Sequence, residues 1–289
     1  MPMQIGVIFP QTELGADRGA VREYATAVSE FGYAHIAAYD HVVGADPAVH
    51  EGWDRPYDIH TTFHEPMVLF GYLAALTPLE LVTSILILPQ RQTVLVAKQA
   101  AEIDLLTGGK FRLGVGLGWN EVEYEALGMA FSNRGARVVE QVALLRKLWT
   151  EESVTLTGEY EKVTGAGISP LPIQRPIPVW FGGSAKVALR RVGRIADGWF
   201  PAVQPGPELA EAIAVVHGAA REAGRDPAAI GIEGRVSLGA TSPEETAEQA
   251  AAWREAGATH LSVNTMGAGF ATVADHLVAL GAASETLLG

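Results

Sequence analysis

Asp40-His41 follows an apolar run early in the chain, and this pairing of a carboxylate with an imidazole suits proton transfer near neutral pH. The same pair would also serve as a partly buried structural histidine with its neighbour. Further along, Gly182-Gly183-Ser184 separates the apolar segment PVWF from the amphipathic AKVALRRVGRIA. Two glycines permit a tight turn, and the free N–H groups of a helix's first turn attract anions. That arrangement suits a phosphate, with Ser184 able either to cap the helix or to donate to a phosphate oxygen. A plain strand-to-helix turn is the alternative. Gly114, Gly116 and Gly118 recur every second residue in GVGLGWNE, so on a strand they share one face. They either leave a bare wall for a flat ring or relieve crowding inside a barrel. They do not form a dinucleotide fingerprint, because Trp119 and Glu121 stand where G-x-G-x-x-G needs its last glycine.

Other chemistries drop out. The absence of cysteine removes disulfides, thiolate nucleophiles and iron–sulfur clusters together. Lys98, Lys110, Lys147, Lys162 and Lys186 all fall away from the carboxyl ends of expected strands, which argues against a Schiff base. No G-x-S-x-G elbow occurs. His60 and His64 have the i, i+4 spacing of a metal pair, but DIHTTFHEP precedes a helix and offers no third ligand, so no metal site is expected.

The elements that position these residues alternate. Ile5–Phe9, His35–Tyr39, Leu81–Leu88, Phe111–Gly116, Val179–Phe181, Gly198–Phe200, Ile230–Leu238 and His260–Asn264 read as buried strands. Between and after them, Asp17–Phe31, Glu65–Leu76, Val94–Leu106, Glu121–Leu127 with Ala136–Trp149, Ala185–Ile195, Pro207–Ala223, Pro243–Ala256 and Phe270–Leu280 read as helices. Residues 151–177 interrupt the rhythm with a hairpin around Gly158 and a proline-rich return. Eight such units point to a (β/α)8 TIM barrel with an insertion after the fourth helix, a single domain over residues 1–289. A doubly wound open sheet is the rival. In a barrel the chemistry lies at the carboxyl ends of the strands, where Asp40, His41, Trp119, Asn120, Glu121 and Gly182–Ser184 all fall.

Composition sets the outer bounds. Hydrophobic residues make up 48% and charged residues 19% of the 289, enough to bury a large core. A net charge of -12 argues against nucleic acid as a partner. The start of the chain reads as no signal peptide, and the longest apolar stretch, Leu81 to Pro89, is too short to cross a membrane. A soluble cytoplasmic protein acting on a small molecule is expected.

Taken in order, YDHVVG at 39–44, TSILILPQR at 83–91, AKQAAEIDLLTGGKFRLGVGLGW at 97–119, RGARVVEQVALLRKLWT at 134–150 and PVWFGGSAKVALRRVGRIADGWF at 178–200 resemble the bacterial luciferase-like oxidoreductases. Within them the resemblance is to the branch that uses coenzyme F420. It implies a deazaflavin ring in the barrel mouth, its phosphate on Gly182 and Gly183, and a non-prolyl cis peptide at Ser84-Ile85 behind the ring. The implied cofactor contacts are Asp40, Thr83, Ser84, Ile85, Gly116, Gly118, Asn120, Gly182, Gly183 and Ser184, with His41 and Asp40 assisting hydride transfer. One position departs from the branch: its sugar-phosphate dehydrogenases carry a glutamate directly after the glycine matching Gly118, where this chain has Trp119. That turns the reading away from sugar phosphates and towards a more apolar metabolite, with Asn120 and Glu121 as compensating candidates. Trp53, Tyr57, Phe63 and Trp119 are candidates to line its pocket or to be core. The resemblance also implies a homodimer. An FMN-dependent monooxygenase of the same family and a cofactor-free barrel, either lyase or binding protein, are the alternatives.

Overall fold

The computed structural model describes every residue except Met1, where the expected domain begins, and Ala240. In chain order the elements are β1 (Gln4–Ile8), α1 (Gln11–Leu14), α2 (Arg18–Glu30), β2 (His35–Ala38), α3 (Pro66–Leu73), β3 (Glu80–Thr83), β4 (Leu86–Ile87), α4 (Thr93–Leu106), β5 (Phe111–Gly116), α5 (Glu121–Ala126) and α6 (Arg134–Thr150). There follow β6 (Val154–Thr157), β7 (Lys162–Ala166), β8 (Val179–Gly182), α7 (Lys186–Ile195), β9 (Gly198–Phe200), α8 (Pro207–Glu222), β10 (Gly231–Ser237), α9 (Pro243–Glu255), β11 (His260–Asn264) and α10 (Val273–Leu288). The parallel strands run β3-β2-β1-β11-β10-β9-β8-β5, and β3 pairs with β5 to close the ring. The open sheet is thereby excluded, and the fold is an α/β barrel of eight staves.

Side-chain caps set several helix starts. Asp17 accepts the N–H of Gly19 at the start of α2, Glu65 caps α3, and Ser242 with Glu245 forms a capping box on α9. Among the differences from expectation, which include the unforeseen α1 and an α3 that ends at Leu73, two stand out. The run Leu81–Leu88 is not one strand: β3 ends at Thr83, the Ser84-Ile85 peptide is cis, β4 follows, and Leu88–Gln90 is a 3-10 turn. Apolar character reports burial but not pairing register, and side chains take over at the break. Thr83 Oγ1 donates to Gly114 O at 2.7 Å, and Asp40 accepts the Ile87 N–H at 2.8 Å. The last helix starts and ends later than Phe270–Leu280, because Thr272 and Asp275 form the capping box that sets its first turn.

The insertion is an antiparallel pair, β6 with β7. Its turn meets the carboxylate of Glu140 on α6, which accepts the N–H groups of Glu159, Tyr160 and Glu161. The return segment is tied to the far end of α4, where buried Asp104 accepts the N–H groups of Ile173 and Gln174. The insertion thus runs along the outer wall, and none of its residues lines the cavity at the barrel mouth.

A second feature lies inside the staves. Gly234 faces Trp253 of α9, so strand alternation turns Glu233 and Arg235 into the lumen. There Arg112 donates to Glu233 at 2.6 Å and to Glu80 at 2.9 Å, with its guanidinium 4.3 Å from the Trp180 ring centroid. His35 and Ser262 also bond Glu233. Burial pushes the Glu233 carboxyl up, but Arg112 and His35 outweigh it and hold it well below the usual range.

Candidate active site

A cavity of about 800 Å³ opens at the carboxyl ends of the strands. Of the residues expected there, Asp40, His41, Ser84, Ile85, Gly116, Gly118, Trp119, Gly182, Gly183 and Ser184 line it. Thr83 and Asn120 do not. Thr83 is fully buried on its bond to Gly114, and Asn120 is the N-cap of α5, accepting the Glu123 N–H and donating to Val43 O.

His41 owes its position to a carboxylate that the sequence did not single out. Its Nδ1 lies 3.6 Å from Oε2 of Glu123, an ion-pair distance rather than a hydrogen bond. Glu123 Oε1 accepts the Val42 N–H at 2.5 Å, and Gln90 donates to Oε2 at 2.9 Å. Burial raises the Glu123 carboxyl, but these bonds and His41 outweigh it, so it stays ionised. Glu121, which the sequence offers as a compensating acid, is exposed two residues earlier. Tyr57, Phe63 and Trp119 surround the imidazole at ring-centroid distances of 4.7, 4.8 and 5.6 Å. Tyr57 and Trp119 reach the cavity, whereas Trp53 and Phe63 back them.

Asp40 works on the break between β3 and β4. Its carboxylate takes the Ile87 N–H and the Arg91 guanidinium at 2.7 Å, while Arg91 also reaches Glu65 at 2.8 Å. Burial raises the Asp40 carboxyl more than Arg91 and Ile87 lower it, although the ion pair is direct. His60 is exposed in a turn and His64 packs edge-on against Phe9, so the two do not share a helix face.

The two glycine motifs resolve differently. A side chain at Gly114 would strike Thr83 O and Phe200, one at Gly116 would strike Ile85, and one at Gly118 would strike Ile87. The period-two glycines therefore make room for alternate residues of the neighbouring stave, and Gly116 and Gly118 also line the cavity. At Gly182-Gly183-Ser184 the chain turns with Gly183 at φ +138, and Ala185 rather than Ser184 is the N-cap. No side chain caps α7, so its first-turn N–H groups stay available beside the cavity, and the Ser184 hydroxyl is exposed there.

A closed parallel barrel with a histidine–carboxylate pair and an open helix N-terminus around one carboxyl-end cavity has the layout of a (β/α)8 enzyme. The profile of the luciferase-like monooxygenase family matches residues 3–285, and the chain belongs to that family of oxidoreductases. An uncharacterized protein of Mycobacterium tuberculosis is 39% identical over 165 residues, 56% of each chain, so the match spans little more than half of that relative. The FMNH(2)-dependent dimethylsulfone monooxygenase of Pseudomonas putida is 32% identical over 142 residues, 47% of this chain and 39% of that one. In fold the chain is similar to the coenzyme F420-dependent tetrahydromethanopterin reductase of Methanopyrus kandleri, with a TM-score of 0.78 at 13% identity over 100% of this chain and 99% of that chain. Among the described residues no helix is long and apolar enough to cross a membrane.

Proposed function

We propose that this chain is an F420-dependent oxidoreductase that moves a hydride between the deazaflavin ring and a small organic metabolite. The observation that carries the reading is His41, fixed by Glu123 on the wall of the cavity. Hydride exchange with an alcohol or ketone requires a proton at oxygen as carbon gains or loses the hydride, and a positioned imidazole meets that need. The residues fit the cofactor. Ile85 offers an apolar ledge, Gly116 and Gly182 carry no side chain beside it, and the uncapped start of α7 suits a phosphate. When bound, the deazaflavin supplies the carbon that gives or takes the hydride. The protein anchors the phosphate at Gly182, Gly183 and Ser184, shapes the ring site with Ser84 and Ile85, and moves the proton at His41.

Reduced FMN acting with oxygen is the second reading, favoured by the 32% identity to the FMNH(2)-dependent enzyme. Fluorescence titration of the purified protein separates the two. Saturable F420 binding at least tenfold tighter than FMN is expected, and the reverse order would transfer the assignment to FMN. The reading includes a homodimer, with exposed Val68 on α3 and Leu95 on α4 as apolar surface for it.

Gly183→Asp is expected to weaken cofactor binding at least tenfold, roughly 1.4 kcal/mol, through charge repulsion at the turn. The companion Gly183→Ala carries the same backbone strain at positive φ without the charge. Equal affinities for the two folded variants would remove charge from the explanation, and wild-type affinity in both would remove the phosphate from this turn.

A further inference from the structure

Charge bookkeeping around the cavity leaves one side chain over. Two acids line it, and each is already matched: Asp40 by Arg91, Glu233 by Arg112 and His35. Arg235 is the only lysine or arginine among the described residues lining the cavity, and among the described residues it makes no ion pair. Its side chain is exposed within the mouth, and its hydrogen bond is Nη1 to the hydroxyl of Tyr39 at 3.1 Å. In a chain of net charge -12, an unmatched guanidinium facing a cavity is conspicuous.

Resting on the reading above, we infer that Arg235 binds a carboxylate of the substrate, which makes the substrate class small organic acids. Position separates this cation from the phosphate turn. Gly182 ends β8, whereas Arg235 lies on β10, two staves further round the ring. Its partner Tyr39 directly precedes Asp40 and His41, and the wall residue Tyr57 packs on the His41 ring. The guanidinium therefore belongs to the side of the cavity where the proton is handled. Chemistry selects the anion. A single planar fork matches a carboxylate through two parallel N–H···O bonds. A phosphate dianion would call for a second positive group, and no other lysine or arginine among the described residues lines the cavity. Burial raises the Tyr57 hydroxyl above its ordinary value, so it stays protonated as a neutral donor on the same wall.

The test uses the cofactor-free protein, with benzoate and its uncharged counterpart benzamide as probes followed by calorimetry. Wild type is expected to bind benzoate at least tenfold more tightly than benzamide. In Arg235→Gln that ratio should fall to about one, and Arg235→Lys should keep part of it because the charge remains without the fork. Equal binding of the two probes by wild type, or an unchanged ratio in Arg235→Gln, would overturn the assignment. So would an Arg235→Gln protein that keeps the ratio but loses tenfold in F420 or FMN affinity, since the arginine would then serve the cofactor. Because the probes are measured without cofactor, their result stands apart from the F420 and FMN titration.

Discussion

His41→Ala is expected to slow hydride transfer by ~10²–10⁴, the range for losing a positioned acid or base. Cofactor affinity should stay within a few-fold of wild type, because the phosphate anchor proposed at the start of α7 lies on another stave. Glu123→Gln should cost less. It removes the charge beside the imidazole but keeps an oxygen to accept the Val42 N–H that fixes the loop. Asp40→Asn should disturb the Ile87 and Arg91 bonds first, and so affect the break between β3 and β4 before the chemistry. Single-turnover cofactor absorbance reads all three. A wild-type transfer rate in His41→Ala would make this histidine a packing residue among Tyr57, Phe63 and Trp119.

The second large effect is on stability. Arg112→Met should destabilise the fold by about 3–5 kcal/mol, because it leaves the buried Glu233 carboxylate without its main partner. Urea unfolding measures the loss, and adding Glu233→Gln should recover a good part of it by removing the stranded charge. The sign of the pH dependence follows from the depressed carboxyl of Glu233. Its contribution is present above the ordinary glutamate value and is lost as pH falls towards the lower folded value. The gap between wild type and Arg112→Met should therefore narrow on acidification. A constant gap from pH 7 to pH 3, or full stability in the single variant, would count against this ion-pair layer as a stabilising element.

The staves were readable because parallel strands covered by helices must be apolar along their whole length, as in Phe111–Gly116 and His260–Asn264, whose bounds match the structure. The same rule concealed the break between β3 and β4. Apolar character runs through most of Leu81–Leu88, while the interruption depends on what Thr83 and Asp40 find across the barrel. Asp40, His41 and the Gly-Gly turn were legible as residue types at strand ends. Glu123 was not, because Glu121 and Glu123 flank Val122 with equal claims, and only the folded helix shows which one turns inwards. Arg235 was equally hidden. It sits in a strand read as apolar, and its lumenal orientation depends on Gly234 packing against Trp253.

The meshing of Gly116 with Ile85 also bears on how such a pocket can be reshaped. The contact is with the far end of the Ile85 side chain, which can swing, and not with backbone, which cannot. An added methyl at 116 would push the Ile85 side chain, which lines the cavity, away from β5. A smaller residue at 85 would free space there from the other side. Gly114 has no such latitude, because Thr83 O is backbone. The pocket is thus adjustable near its rim and locked one layer down, and a lineage could retune what it admits through residues 85 and 116 while the staves beneath stay unchanged.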